Sequence, residues 1–422
     1  MITVPGAIAI PVAPLNPDSS PVQVEVGPNP AQAALTPDGA QIWVTDASSN
    51  QVYIINTSSL LVTRTIGLPT TPYGIAFSPN GSDAWVSGRN PNVAVELSTS
   101  TESVISTVSV PVLDAYPYMI AVSPNGTQVW MSEYYHNVTI INARTATIMS
   151  ELLVLPQGDT GGVTAMSFSP DGRAVYFGFT GLPISSNVVV AYNATTRTML
   201  WSSTIDCAGS VGGIIESPDE GNVYVLNDST PGAEFNVLGA KEGSIVARIP
   251  LPTIRVEDFS TMAVTDGGYA VWFAGSEPGN DAVLVGVNST ADSIGVIDYD
   301  PDVNGSTSLS LAQNRGTAYA LADGGSPYLL AWSDLPNLAA VRCLPVGTLS
   351  RGCVLPNTES YGSPAAITIG PQDDNVSSEG SASCLTAPIG EDLLIDAIVV
   401  VAVTIMAVVV VTQRRATTPP SA

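Results

Sequence analysis

A tight-turn motif recurs at nearly constant spacing along most of this chain, and this repetition limits the possible folds more than any other feature. Each clear copy places a hydrophobic residue before Ser/Thr-Pro-Asp/Asn-Gly and an aromatic residue shortly after the glycine. The marker glycines of the clear and the weaker copies are Gly39, Gly81, Gly126, Gly172, Gly221, Gly268 and Gly316, at intervals of 42, 45, 46, 49, 47 and 48 residues. The sequence therefore predicts seven copies of one structural unit.

The second copy indicates what this unit is. Residues 73–77 form a short apolar run typical of a buried strand, and Ser78-Pro79-Asn80-Gly81 then supplies a turn, because proline presets φ and glycine accepts positive φ. Trp85-Val86 begins a second strand with aromatic and β-branched residues. Two further runs, 93–97 and 103–108, complete the period, each bounded by Ser, Thr, Asn or Pro. Each repeat is therefore expected to form four antiparallel strands.

Four short antiparallel strands repeated at this spacing are typical of an all-β β-propeller. A β-helix has a much shorter period, and a helical solenoid needs a 3.6-residue apolar periodicity that we do not find. We therefore predict a seven-bladed β-propeller of four-stranded antiparallel blades. The aromatic residues that begin the second strands are predicted to pack between blades rather than bind a ligand, because they recur at an equivalent place in each repeat.

The repeat pattern also carries a family resemblance. The order hydrophobic-Ser-Pro-Asp/Asn-Gly-x-x-hydrophobic-aromatic-Val, with Ile42-Trp43-Val44-Thr45-Asp46 and Val223-Tyr224-Val225-Leu226-Asn227, resembles the YVTN-type β-propeller repeats of surface-layer and other extracytoplasmic proteins. The resemblance covers roughly residues 22–345. It implies a propeller fold and an extracytoplasmic location, but propellers of this kind serve binding, structural and occasional enzymatic roles.

The net charge of the chain limits the classes of molecule that it can bind. There are 13 Lys and Arg against 37 Asp and Glu, giving a formal net charge of −24, and Lys241 is the only lysine. Nucleic acid is excluded as a partner, because phosphate binding requires clustered cations. The acidity is explained either by a soluble, self-repelling surface or by cation binding or life in high salt or acid.

The N-terminal residues raise two questions, namely how the chain is exported and which strand closes the propeller. Residues 1–21 form an extension without the basic n-region and long apolar h-region of an ordinary signal peptide, so export would use another signal or a different start. Residues 22–26 alternate like a strand and are one candidate for the strand that closes the ring. Residues 339–342 are the other candidate, and the sequence does not decide between them.

The C-terminal part predicts a membrane anchor. Residues 346–392 are rich in Ser, Gly and Pro, as expected of a stalk. Residues 393–412 are almost wholly apolar and stand just before Arg414-Arg415, which predicts a transmembrane helix. The basic flank places the short tail, residues 413–422, in the cytoplasm. The propeller is then expected at the cell surface, on the outer side of a single-pass membrane protein.

Cysteines and sequons agree with an exported chain. Cys343 and Cys353 are close in sequence and are candidates for one disulfide, which leaves Cys207 and Cys384 for a second, against the alternative of buried thiols. Asn-x-Ser/Thr sequons, most of them in predicted turns, are candidate glycosylation sites. Their asparagines are Asn56, Asn80, Asn125, Asn137, Asn193, Asn227, Asn288, Asn304 and Asn375.

The best metal candidate is an acidic run between the sixth and seventh repeats. Asp298, Asp300, Asp302 and Asn304 alternate and precede Gly305, as in the first half of a calcium loop. The twelfth position counted from Asp300 is a leucine rather than a bidentate glutamate, so the alternative is a plain acidic turn. Calcium is the only cofactor that the sequence suggests.

The sequence supplies little equipment for catalysis. The single histidine, His136, has no second histidine or cysteine cluster near it in sequence, so we interpret it as a loop residue. No Gly-x-Ser-x-Gly motif or phosphate loop is present. Specific recognition is expected in blade-connecting loops such as residues 112–118.

We therefore predict a binding, adhesion or surface-coat module rather than an enzyme, with other surface proteins or glycans as partners. The alternative is an exported propeller enzyme, lactonase-like or another hydrolase, with an acidic and calcium-dependent pocket. A surface-lattice subunit would additionally require self-association.

Overall fold

The computed structural model describes most of the predicted propeller. The described residues are 22–110, 119–133, 137–154, 162–179, 187–206, 210–228, 233–251, 256, 262–264, 270–276, 281–288, 293–304, 306–312, 317–322, 328–332, 342–346 and 350–354. The predicted stalk, transmembrane helix and cytoplasmic tail lie outside these residues, as do residues 1–21. In the described part of the chain, no helix is long and apolar enough to span a membrane.

The regular structure of the described residues consists of β-strands. In chain order they are β1 Val22–Glu25, β2 Pro30–Leu35, β3 Gln41–Asp46, β4 Gln51–Asn56, β5 Leu61–Gly67, β6 Thr71–Phe77, β7 Asp83–Arg89, β8 Val93–Ser98, β9 Ser103–Ser109, β10 Ile120–Val122, β11 Gln128–Ser132, β12 Asn137–Asn142, β13 Thr147–Leu153, β14 Val163–Phe168, β15 Ala174–Phe179, β16 Asn187–Asn193, β17 Met199–Asp206, β18 Ser210–Glu216, β19 Asn222–Asp228, β20 Ala233–Gly239, β21 Ile245–Leu251, β22 Met262–Val264, β23 Ala270–Ser276, β24 Asp281–Asn288, β25 Ser293–Asn304, β26 Ser306–Ala312, β27 Thr317–Ala322, β28 Tyr328–Trp332, β29 Arg342–Val346 and β30 Ser350–Val354.

Six blades are each made of four consecutive strands that pair antiparallel in chain order. Blades 1 to 6 are β2–β5, β6–β9, β10–β13, β14–β17, β18–β21 and β22–β25. The first strand of each blade contacts the first strand of the next, so the first strands lie innermost and the fourth strands form the outer rim. This arrangement confirms the predicted all-β propeller of four-stranded antiparallel blades.

The predicted number of seven blades is corrected to six, because the described residues form six four-stranded sheets of consecutive strands. The last repeat contributes only β26, β27 and β28, and β1 pairs antiparallel with β28, with Val22 opposite Ala331 and Glu25 opposite Tyr328. This composite sheet, the closing sheet, contacts both blade 6 and blade 1. Of the two candidates for ring closure, residues 22–26 supply the strand. The two ends of the propeller are thereby joined by hydrogen bonds.

Hydrogen bonds in the turn between the first and second strands explain why the motif recurs. In blade 2 the Ser78 hydroxyl donates to Asn80 Oδ1 (2.8 Å) and accepts from the Asp83 N–H (3.0 Å). The Gly81 N–H donates to the Ser78 carbonyl (2.8 Å), and Gly81 has a φ of +71° at which an L side chain would be strained. Equivalent side-chain bonds form at Thr36, Ser123, Ser169 and Ser217.

The aromatic residues of the second strands form the core between blades, as predicted. Those of blades 1 to 6 are at most 2% exposed, and they are Trp43, Trp85, Trp130, Tyr176, Tyr224 and Trp272. Trp43 packs edge-to-face on Phe77 of the next blade with ring centroids 5.3 Å apart, and Trp130 does the same with Phe168 at 5.7 Å. In these two interfaces, blade-to-blade packing therefore pairs the tryptophan with the last residue of the following inner strand.

Candidate functional site

The predicted calcium residues lie on an extended strand rather than on a curled loop. Asp298, Asp300 and Asn304 belong to β25 and pair with Leu284, Ala282 and Asp281 of β24. The register skips residues 301–303, so the ladder is interrupted there. Alternate residues of a strand stand about 7 Å apart along the chain. The backbone thus differs from that of an EF-hand loop, and the side chains of this segment lie outside the description.

Elsewhere, the described residues contain no group of three or more His, Cys, Asp or Glu that could hold a metal ion. Three carboxylates of the described blades are nonetheless buried, namely Asp46 in blade 1, Glu133 in blade 3 and Glu216 in blade 5. They lie in three different blades.

Asp46 has a structural role at the end of β3. Its carboxylate accepts hydrogen bonds from the N–H groups of Asn29 (2.8 Å) and Ser49 (3.1 Å) and from the Ser49 hydroxyl. A Cβ at Gly27 would come within 2.0 Å of Asp46 Oδ2, so glycine allows the chain leaving β1 to pass over this carboxylate. Asp46 therefore fixes the link between the closing sheet and blade 1.

Glu133 occupies the position after β11 that corresponds to Asp46. One of its oxygens accepts a hydrogen bond from the Thr139 hydroxyl, whereas Oε2 is buried without a partner among the described atoms. Burial raises the pKa of Glu133, the Thr139 hydrogen bond lowers it in part, and the charge of Glu151 raises it further. This residue therefore favours the protonated form more than an exposed glutamate does.

Glu216 replaces an apolar residue of the repeat. It ends the inner strand of blade 5, where the equivalent positions are Leu35, Phe77, Val122 and Phe168. The side chain bonds to the Tyr176 hydroxyl of blade 4, whereas Oε2 is buried without a partner among the described atoms. Burial raises the pKa of Glu216 to about 7 against the opposing effect of the Tyr176 hydrogen bond, and Glu220, Asp171 and Asp219 raise it further.

The outer rim presents the most distinctive surface. Wherever burial is described, every exposed large hydrophobic residue lies on the outermost strand of a sheet. They are Val22, Leu61, Val62, Val104, Ile105, Met149, Leu153, Met199, Leu200, Ile245 and Val246. Single exposed apolar residues scattered over a surface need no explanation, but these residues are confined to one strand position in successive blades.

A β-bulge at an equivalent place in each outer strand accounts for part of this exposure. In blade 2, Glu96 pairs with Ser106 and Leu97 with Val104, so Ile105 is an extra residue. The extra residues of blades 1 to 6 are Thr63, Ile105, Met149, Leu200, Val246 and Ile297. A bulge redirects a side chain and blunts a strand edge against further pairing.

Four of the bulge residues form a belt on the rim. Ile105, Met149, Leu200 and Val246 are 53%, 44%, 52% and 62% exposed. Each is the second or third residue of its strand, so the four lie at a similar level in blades 2 to 5. We call these four residues the rim belt. Their side chains can bury apolar area against another molecule without requiring strand addition.

The outer strands of blades 1 to 5 are electrically balanced, unlike the rest of the chain. Their charged residues are Arg64, Glu151, Asp206 and Arg248, two of each sign. Arg64 pairs with Glu102 (3.5 Å) and Arg248 pairs with Glu234 (3.2 Å). The strong negative charge therefore resides elsewhere than on these strands.

The sequon asparagines whose side chains are described fall into three groups by burial. Asn80 and Asn125 are exposed in turns, whereas Asn56, Asn137 and Asn193 are partly buried. Asn227 is fully buried, so the folded chain does not expose its amide. Asn288 and Asn304 end β24 and β25, and their side chains, like all of Asn375, lie outside the description.

The structure describes only some of the remaining residues singled out from the sequence. Cys343 and Cys353 stand directly opposite each other in the antiparallel hairpin β29–β30. This register is compatible with the predicted disulfide, because directly opposite residues of an antiparallel pair have Cα atoms about 4.5–5.5 Å apart, within the range that disulfides span. Cys207, Cys384, His136 and the loop 112–118 lie outside the described residues.

Comparisons with known proteins identify the fold alone. No family model matches the chain, and no curated protein matches it. Among solved structures it is similar to a chain of hydrazine synthase from Kuenenia stuttgartiensis, with 15% identity and a TM-score of 0.60 over 70% of this chain and 94% of that one. It is also similar to the β-propeller domain of Cps50 (Swd1) from Myceliophteria thermophila, with 10% identity and a TM-score of 0.60 over 75% of this chain and all of that one.

Proposed function

We propose that this chain is a non-enzymatic binding module of a cell-surface coat, anchored by a membrane helix at residues 393–412 and joined to neighbouring copies through its outer rim. The rim belt is the observation that carries this proposal. Four apolar side chains at one level of successive blades expose a surface that gains free energy when another molecule excludes water from it.

Charge favours a second copy of the chain as the occupant. Copies with a net charge of −24 repel each other, so contact between them is least unfavourable where the surface is balanced. The outer strands of blades 1 to 5 carry two positive and two negative residues and meet this condition. Rims also point sideways from a propeller, so contacts between rims would extend in a layer rather than close into a compact pair.

An exported hydrolase with a calcium-dependent pocket is the second candidate function, and the described residues do not favour it. Its acid and base groups would have to converge in one pocket. Among the described residues, no group of three or more His, Cys, Asp or Glu could hold the metal ion of such a pocket. Asp298 and its neighbours run along a strand.

The proposal is tested by substituting the rim belt with threonine, the residue that blade 1 already holds at its bulge as Thr63. We expect the full chain, purified in detergent, to self-associate, and the double variant Ile105→Thr/Leu200→Thr to associate at least about tenfold more weakly, because each substitution removes roughly 1 kcal/mol of apolar burial. Sedimentation over a concentration series measures this difference.

The matched control is Leu61→Thr/Leu153→Thr, which removes two exposed apolar residues of outer strands outside the rim belt. It should associate as the unmodified chain does. Monomeric behaviour of the unmodified chain at high protein concentration, or equal weakening by both double variants, would contradict the proposal.

A further inference from the structure

In blades 1 to 5, the turn between the first and second strands has either aspartate or asparagine at one equivalent position. Both residue types accept the same hydrogen bonds there. In blades 1, 4 and 5 this residue is Asp38, Asp171 or Asp219, and in blades 2 and 3 it is Asn80 or Asn125. In each case Oδ1 accepts from the hydroxyl of the Ser or Thr two residues earlier and from the N–H two residues later. The turn therefore uses only an oxygen that both residue types possess.

The asparagine amide nitrogen is thus not required by the turn. The hydrogen bonds that the Asn80 and Asn125 side chains accept within their turns all end on Oδ1 and do not involve Nδ2. Both side chains are exposed. Aspartate would serve the fold equally well at these two positions, so the choice of asparagine calls for a chemical reason.

The residue two positions later varies together with this choice. After Asn80 and Asn125 it is Ser82 or Thr127, and its hydroxyl donates to the asparagine Oδ1 at 2.9 Å or 2.7 Å. After the aspartates it is Ala40, Arg173 or Gly221, none of which has a hydroxyl. The amide and the hydroxyl thus occur together in the two turns, which is the requirement of N-glycosylation.

We propose that Asn80 and Asn125 carry N-linked glycans. The inference deepens the proposed function and rests on export of the chain. In the transfer, Nδ2 attacks the anomeric carbon of an oligosaccharide held as a lipid pyrophosphate ester. The carbon–nitrogen bond forms, the carbon–oxygen bond breaks, the pyrophosphate leaves, and Nδ2 loses one proton.

Peptide mapping of the full chain, purified from the cells that produce it, tests this inference. We expect glycan mass on the peptides of Asn80 and Asn125 and none on that of Asn227, which is buried. Asn80→Asp and Asn125→Asp should each remove one glycan while preserving the thermal midpoint. Ser82→Ala and Thr127→Val should also remove it, although they keep the asparagine.

A gain-of-site variant provides a positive control in blade 1. The double substitution Asp38→Asn/Ala40→Ser gives that turn both groups and should add one glycan. Unmodified Asn80 and Asn125 in a chain that external protease removes from intact cells would overturn the inference and leave the proposed coat role intact. Glycosylated chains that stay monomeric would instead overturn the coat role alone.

Discussion

At the scale of single residues, Glu216 links the packing of two blades to pH. The equivalent slots after blades 1 and 3 hold Phe77 and Phe168, which pack edge-to-face on a tryptophan. Between blades 4 and 5 a tyrosine replaces the tryptophan and its hydroxyl bonds to Glu216. A tyrosine and a protonated glutamate can together occupy an interface between blades that otherwise holds two apolar side chains, because they form a hydrogen bond with each other.

We predict that Glu216→Gln stabilises the protein above pH 7. Since the pKa of Glu216 is raised from 4.5 to about 7 in the folded state, its contribution is fully present below pH 4.5 and is lost as the pH rises through 7. Glutamine keeps an oxygen for Tyr176 but cannot ionise. Chemical unfolding should show a gain of about 2–3 kcal/mol at pH 8 and no gain at pH 4.

The control for this variant is Glu220→Gln, which neutralises an exposed neighbour in the same turn. It should change the pH dependence far less. Stability curves of Glu216→Gln and the unmodified chain that run parallel from pH 4 to pH 8 would refute the role assigned to Glu216. Glu216 could have been found from sequence by aligning the repeats. It is a carboxylate at a position where the other repeats have the apolar residues Leu35, Phe77, Val122 and Phe168.

At the scale of strands and sheets, the closing sheet holds the ring together through β1. Val24 is 7% exposed and packs with Ile42 of blade 1 and with Leu321 and Leu329 of the closing sheet. The four backbone pairs between β1 and β28 add a ladder that no other described strand supplies. Stability of the whole propeller therefore depends on a strand near the start of the chain.

Deleting residues 1–26 should lower the thermal midpoint by several degrees and broaden the transition, because the closing sheet loses its fourth strand and the Val24 contacts. Deleting residues 1–21 removes the extension and spares β1, so this variant serves as the control and should unfold like the full chain. Circular dichroism measures the thermal midpoints. Equal midpoints for the two truncations would show that β1 does not close the ring.

The strands and turns could be predicted from sequence, whereas their long-range pairing could not. Ser78, Asn80 and Gly81 form their turn through bonds within five residues, so the motif alone locates it. Pairing of β1 with β28 joins residues about 300 positions apart, and the sequence left two candidates for it. The bulge at Ile105 arises from the pairing of two strands, so the sequence of the outer strand alone does not predict it. Asp298 and Asp300 lie on a paired strand, and calcium binding by these residues stays a prediction.

At the scale of the whole molecule, the propeller separates three kinds of surface. The turns between first and second strands carry Asn80 and Asn125, the inner strands face one another around the axis, and the outer strands carry the rim belt. In the proposed coat, the net charge of −24 favours contacts through the balanced outer strands of blades 1 to 5.

Cysteine cross-linking on intact cells tests the rim contact most directly. One variant carries Ile105→Cys on the rim belt and a second carries Ser82→Cys in the exposed turn, each compared with the unmodified chain. The account predicts that mild oxidation yields disulfide-linked copies for Ile105→Cys and leaves Ser82→Cys as monomers, like the unmodified chain. Cross-linked copies through position 82, or none through position 105, would contradict it.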